Sequence, residues 1–383
     1  MDGPHHHTAV GRAGPVSEST RRAMQMIASW PPRMDLKDVA AWAQRVERLG
    51  FDVIHVPETI HDAFTVATLA LTHTQRIIVR TSMIVAFPRS PMLTAYAAWD
   101  LAKYSDGRFE LGIASQVRGN IVGRFSTEWS DPVSRLGDYV NSLRAIFDSF
   151  QTGAPLHHSG PHYRFERLQP YFNPGPIAHR APRIWTGGVN RRMCNLAGEL
   201  SDGFVCHPTN SHPRVLRAST LPALAQGAAT AQRADGGPAV VTNPQPMMAA
   251  THDGVERLRE PRRAELAFLY STPAYRRQLE YFGLEDVGLA LSEMAHRADW
   301  TDLAGHLTDE VMDLVVPQGS YPEIPDILAE WYSGVCSGIS LSVPGDAEDD
   351  ASLAELVGRC KHIEPAAALA PPEVDESAES RPI

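Results

Sequence analysis

GRFELGIASQV, residues 107–117, is a short apolar stretch built on Phe109, Leu111 and Ile113 that stops abruptly in Ala114, Ser115 and Gln116. The apolar part reads as a strand. A strand that only packs leaves through a turn. One that hands over to small residues with free N–H and hydroxyl groups makes room for something to bind. It is also the fourth strand of a series. Before it lie strand patterns at 23–29, 51–58 and 76–87, separated by amphipathic helical patterns at 34–50, 62–72 and 91–104. Asp35 is placed to cap the first of these helices and Gly50 to end it, while Pro91 opens the third. After it, 131–150 carries Val133, Leu136, Tyr139, Val140, Leu143, Ile146 and Phe147 at helical spacing.

The alternation resumes with strands at 182–188 and 201–208, a long helix over about 213–232, and a strand in AVVTNPQPMMAAT. Helical material is expected over 255–334, and GISLSV (338–343) is the eighth strand. Strands alternating with helices imply right-handed parallel crossovers, and eight of them at this length predict an α/β fold, a (β/α)8 barrel. The rival, an open doubly wound sheet, calls for a G-x-G-x-x-G turn after its first strand, and none is present there. Two stretches exceed what a crossover needs: about 151–181, after strand 4, and about 252–315, after strand 7. Both are expected to be insertions that form walls or lids. One domain is expected over 23–362, between a flexible arm (1–22) and a disordered, Pro- and acid-rich tail (363–383).

Of 383 residues, 43% are hydrophobic and 21% charged, which suits a single sizeable core. The net charge of −10 argues against a nucleic-acid partner. No apolar run approaches a membrane span, and no membrane partner is expected. The four cysteines, Cys194, Cys206, Cys336 and Cys360, are widely spaced, as for reduced thiols, so a cytoplasmic location is expected. No metal site is expected. His5, His6 and His7 sit in the arm, and His157, His158 and His162 have no carboxylate or cysteine at ligand spacing.

In such a barrel the chemistry lies where strands end at their carboxyl side. Those ends carry Glu58, Thr59, His61 and Asp62; Ser82; Ala114, Ser115, Gln116, Arg118 and Asn120; TGGVNRR at 186–192; and CHPTNSH at 206–212. Gly187 and Gly188 stand where a strand gives way to a helix, so backbone N–H groups there can meet an anion. Arg191 and Arg192 add positive charge. The same glycines also suit a plain strand-to-helix turn. His61 beside Asp62 is a candidate acid–base pair, since a carboxylate fixes an imidazole tautomer; a local turn contact explains the pair equally well. The aromatic residues of the insertions (Tyr163, Phe165, Tyr171, Phe172, Phe268, Tyr270 and Tyr275) suit either a substrate pocket or core packing.

Taken together, LGFDVIHVPETIHDAF, TSMIVAFPRSPMLTAYAAWDLAKYSDGRFELGIASQVRGNIVGRFSTEW, HYRFERLQPYFNPGPI, RIWTGGVNRRMCNLAGELSDGFVCHP and LYSTPAYR resemble the luciferase-like monooxygenase superfamily. More narrowly they resemble its branch of coenzyme F420-dependent oxidoreductases. The resemblance runs in order from about residue 23 to 345. It implies a TIM barrel of the bacterial-luciferase type holding a deazaflavin or flavin at its carboxyl face. It implies a non-prolyl cis peptide at Ser82–Met83 behind the ring, and Glu58 and His61 as catalytic residues. The family's acid–histidine pair is adjacent, whereas here it is spaced. It further implies that Ala114, Ser115, Gln116 and Asn120 lie along the cofactor, and that Gly187, Gly188 and Val189, with Arg191, hold its phosphate. Arg118, Arg124, Arg191, Arg192 and Arg214 are candidates to receive the anionic tail of F420. The implied function is hydride transfer between deazaflavin C5 and an alkene, imine or alcohol carbon of a small-molecule or modified-peptide substrate, in natural-product chemistry, by a homodimer. The alternatives are an FMN-dependent monooxygenase and a non-catalytic cofactor-binding barrel.

Overall fold

Eight short strands, apolar at almost every position because both faces are covered, pair in parallel around a closed ring. In chain order they are β1 Gln25–Ser29, β2 Val53–Val56, β3 Ile78–Thr81, β4 Phe109–Ala114, β5 Ile184–Gly188, β6 Gly203–Cys206, β7 Ala239–Thr242 and β8 Gly338–Ser342. Each pairs with the next, and β8 closes onto β1 with Gln25 opposite Gly338 and Ser29 opposite Ser342. The computed structural model describes residues 23–367 apart from Pro32, Thr301 and Asp346. The expected arm, with its three histidines, and residues 368–383 lie outside the described residues.

The outer helices are α1 Val39–Arg48, α2 Ala63–Thr72, α3 Pro91–Tyr104, α4 Pro132–Thr152, α5 Arg191–Leu200, α6 Leu221–Thr230, α7 Ile324–Tyr332 and α8 Asp350–Cys360. Their starts follow local chemistry. Asp62, Ser90, Asp131 and Asn190 each accept a backbone N–H at the head of α2, α3, α4 and α5. Pro91 and Pro132 occupy first-turn positions that need no donor. Asp35 caps a short 3-10 turn, Leu36–Asp38, ahead of α1. Among the described residues no helix is long and apolar enough to cross a membrane.

Inside the ring, Ile27, Val53, Trp185, Val205 and Val241 pack together. Below them lies a buried cation. The Arg80 guanidinium sits 3.4 Å over the Trp185 ring and donates to Glu110 (2.7 Å), His55 Nε2 (2.9 Å) and Gln25 (3.2 Å). A guanidinium only donates, so His55 Nε2 accepts and the ring is neutral. Burial, and then the Arg80 charge, hold its pKa well below the usual histidine value.

Three segments depart from the expected pattern. AVVTNPQPMMAAT is two strands: Pro244 and Pro246 remove two backbone donors, so β7 ends at Thr242 and Met247–Ala249 pairs outside the barrel with Gln318–Ser320. That second partner interrupts the helical run expected over 255–334. The helix expected over 213–232 passes through a π turn at Leu216–Thr220, because Pro222 offers no N–H to the turn before it. The tail does not begin at 363: Ile363 is buried, and the Ala366 N–H donates to the Cys336 carbonyl.

The two insertions are built differently. The first carries a small hairpin, His158–Ser159 with Arg164–Phe165. It is tied to α4 by buried Asp138, whose carboxylate accepts from His158 Nε2 (2.7 Å) and from the His162 and Tyr163 N–H groups (2.7 and 2.8 Å). The second has its own core, including Met247, Leu266, Tyr270, Leu279, Leu291 and Met312. Replacing Asp138 by Ala leaves three half-buried donors without their acceptor. Urea melts of D138A are expected to show a loss of about 2–4 kcal/mol; an unchanged midpoint would mean the hairpin is not held by this carboxylate.

Candidate active site

At the carboxyl end of the barrel a cavity of about 310 Å³ opens between strand exits. Its wall takes Ser82 and Met83 after β3, residues 114–117 after β4, 187–190 after β5, 205–208 after β6, Asn243 after β7, and Ala274 and Tyr275 from the second insertion. Depressions of about 490 and 790 Å³ lie elsewhere. One is between the second insertion and α7, the other at the amino ends of the strands, and neither touches these exits.

The floor depends on β3. The Ser82–Met83 peptide is cis, after which the chain pairs with β4 again, Ile84 opposite Ile113 and Val85 opposite Ala114. Gly112 allows the approach, since a Cβ there would lie 1.9 Å from the Thr81 carbonyl oxygen. Glu58 fixes the resumed segment. Its carboxylate accepts the Val85 N–H (2.7 Å) and two bonds from Arg89 (2.8 and 2.6 Å), and its side chain is only 7% exposed. Both carboxylate oxygens of Glu58 are therefore engaged, so the group expected from the sequence to be catalytic acts here as a clasp and does not line the cavity. His61 is likewise turned to another partner. Its Nε2 lies 3.1 Å from the Met34 carbonyl, while Asp62 caps α2 and pairs with Arg89 (2.8 Å). The His61–Asp62 pair does not form, and neither residue lines the cavity.

At the β4 exit Ala114, Ser115 and Gln116 do line it. Gln116 takes a positive φ of 59° and folds its amide oxygen back onto the Val117 N–H (2.9 Å). Asn120 stands away from the wall, in the helical turn Arg118–Gly123.

The β5 exit is the most constructed part. The Gly188 carbonyl accepts from Asn210 Nδ2 and the Val189 carbonyl from Gln278 Nε2, each at 3.2 Å. In a trans peptide the N–H points opposite to the C=O, so the Val189 and Asn190 N–H groups are turned the other way. Neither has a backbone acceptor among the described residues. Behind them stands the amino end of the ten-residue α5, capped by the Asn190 side chain on Met193. Gly188 is required by packing, because a Cβ would meet Met193 Cγ at 2.5 Å. Arg191 is absent from the wall and donates to Gln226 (2.9 Å); Arg192 pairs with Asp131 (2.8 Å). Of the other expected cations, Arg124 donates to the Thr59 carbonyl and Arg214 to the Tyr281 carbonyl.

Sequence reading missed Asn243 and Gln278; it held His207 and Asn210 only as part of the CHPTNSH exit, and Tyr275 as one of seven aromatics open to either a pocket or the core. His207 stacks on Tyr275, with ring centres 4.1 Å apart and planes 23° apart. Its Nδ1 accepts the Thr209 N–H (3.3 Å), beside the Thr209 hydroxyl (2.8 Å). Enclosure pushes its pKa down to about 4. Of the insertion aromatics only Tyr275 reaches the cavity. Tyr171, Phe172 and Phe268 are exposed, Tyr270 belongs to the insertion core, and Tyr163 and Phe165 pack on the barrel. The described residues form no cluster of metal-ligand type; His158 and His162 are bonded to Asp138 and Ser134.

Residues 9–337 match the luciferase-like monooxygenase family. An uncharacterized protein of Mycobacterium tuberculosis is 34% identical over 316 residues, 82% of this chain and 92% of that one. The 5,10-methylenetetrahydromethanopterin reductase of Archaeoglobus fulgidus is 23% identical, over 86% of this chain and 96% of its own. Among solved structures, the coenzyme F420 dependent tetrahydromethanopterin reductase from Methanopyrus kandleri superposes with a TM-score of 0.71 at 15% identity, covering 88% of this chain and 97% of that one.

Breaking the clasp by E58Q leaves Arg89 with a poorer partner and is expected to cost about 3 kcal/mol in urea melts; a change near zero would show that the β3 exit holds itself. Low pH tests three histidines. Burial lowers the pKa of His55, His207 and His212. Well above pH 6.5 they contribute no pH dependence. As pH falls from 6.5 toward 4, the unfolded chain takes up protons that the folded chain refuses. Stability is expected to fall by about 1.4 kcal/mol per pH unit for each fully titrating histidine, and H207Q is expected to flatten the slope by one proton's worth.

Proposed function

Because the chain belongs to the luciferase-like monooxygenase family, we propose that it is an oxidoreductase that binds coenzyme F420 in this cavity and exchanges a hydride with an alkene, imine or alcohol carbon of an organic substrate. The observation that carries the reading is the β5 exit, where two unaccepted N–H groups and a helix amino end face a cavity whose strand exits are short-chained. The residues present fit the cofactor. The Val189 and Asn190 N–H groups, with the head of α5, would hold its phosphate. Ala114, Ser115 and Gln116 would let the ring pass close to backbone, with Met83 behind it. Bound there, the deazaflavin supplies two-electron hydride chemistry, and the protein supplies position and exclusion of water.

Likeness to the reductases of Archaeoglobus and Methanopyrus supports the F420 branch. So does Arg118, exposed at the rim beside Val117 and without an ion-pair partner among the described residues, where an anionic tail would leave the cavity. The acid–base role expected of Glu58 and His61 is not part of this proposal, since both are engaged elsewhere. Exposed Leu93 and Tyr104 on α3 (66% and 59%) support a homodimer through the α2–α3 face. The reading keeps a cytoplasmic location.

Quenching of F420 fluorescence tests it. Binding of F420 is expected, and Gly188→Ala, whose Cβ would displace Met193 in the first turn of α5, is expected to weaken it by about tenfold or more. Tight FMN binding with no F420 response would instead favour the monooxygenase. Binding without turnover of any substrate would leave a non-catalytic barrel.

A further inference from the structure

The cavity wall contains no lysine, arginine, aspartate or glutamate. Its one titratable ring with an ordinary pKa near neutrality, His207, is held neutral by its neighbours. A backbone N–H can only donate, so the Thr209 N–H fixes His207 Nδ1 as an acceptor and puts the ring proton on Nε2. Nε2 makes no hydrogen bond among the described residues. Two further polar groups stand on the same side. Asn243 Oδ1 is fully buried with no partner among the described residues, and Tyr275, whose ring stacks on His207, brings a hydroxyl to the same cavity. Buried polar atoms of this kind are rare and call for a partner from outside the chain.

We propose that His207, Asn243 and Tyr275 form the substrate subsite, and that it takes an uncharged molecule by a carbonyl or hydroxyl oxygen that accepts from His207 Nε2–H. The proposal rests on the reading of this cavity as the reaction chamber, and adds the substrate class. A carboxylate or phosphate substrate is excluded on charge. The free N–H groups at the β5 exit serve one anion, no second set remains, and a buried anion without counter-charge is costly. His207 is a binding and orienting residue, not the proton donor, because a neutral imidazole that releases its N–H must become an anion. Asn243 and Tyr275 complete the grip: a hydroxyl substrate donates to Asn243 Oδ1 while it accepts from His207.

The test uses the full chain labelled with 15N-histidine, with His207→Gln to assign the ring signals. The expected tautomer is Nε2–H from pH 7.5 down to about 5, consistent with the depressed pKa. Cyclohexanone and cyclohexanol are expected to shift the His207 ring signals, and cyclohexanecarboxylate at equal concentration is not. His207→Leu is expected to weaken cyclohexanone binding about tenfold, while His207→Gln, which keeps an N–H donor, retains it. A proton on Nδ1, a silent ring with the ketone and the alcohol, or an equal response to the carboxylate overturns the proposal. F420 quenching is followed in parallel and is expected to be the same in wild type and His207→Leu. If His207→Leu loses F420 as well, the histidine serves the cofactor and the proposal falls. If wild type does not bind F420, the reading of function fails, while the ring response still decides the subsite.

Discussion

One carboxylate sets the geometry on which the cavity depends. Glu58 leaves β2 and reaches across to the far side of the β3 interruption, where it takes the Val85 N–H and both ends of the Arg89 fork. Pairing with β4 holds one edge of the segment after Met83, and Glu58 ties its other edge to β2. Charge-assisted, bidentate bonds suit this duty because they fix angle as well as distance. The group that sequence reading singles out for chemistry thus serves as a structural fastener, with both carboxylate oxygens bonded to the segment it holds.

The cavity itself works with dipoles in place of charges. Asn210 and Gln278 hold two carbonyls back so that the paired N–H groups turn outward, and α5 places its amino end behind them. In the proposed function this is how a chain of net charge −10 would receive an anion without a lysine or arginine in the wall. Arginines near the mouth brace loops: Arg124 ties down the Thr59 carbonyl, and Arg192 joins α5 to the start of α4.

The barrel was legible because strand-forming runs repeat eight times and four of the helices between them open on a capping side chain, each a local signal. Its misreadings are local too: Pro244 and Pro246 split one apolar run in two, and Pro222 diverts a helix. The candidate site was legible where it is backbone chemistry at a strand exit, as at Gly187, Gly188, Ser115 and Gln116. It was not legible where side-chain direction decides. His61 and Asp62 are adjacent in sequence yet turn to different partners, and Arg191 follows the helix surface to Gln226. Tyr275 and Gln278 arrive from a segment some seventy residues beyond β6, and only tertiary packing brings them to the mouth. His207 looked like any exit residue, since its role depends on Thr209 fixing its tautomer.

The second insertion carries a hydrophobic core separate from that of the barrel, and it meets the cavity through the Tyr275 ring and the Gln278 amide. Further contacts outside the cavity, Arg214 on the Tyr281 carbonyl and His212 against Phe282 (4.8 Å), seat it on the barrel. Two separately packed bodies thus share one cavity: the strand exits build most of its wall, and the insertion contributes the Ala274–Tyr275 side.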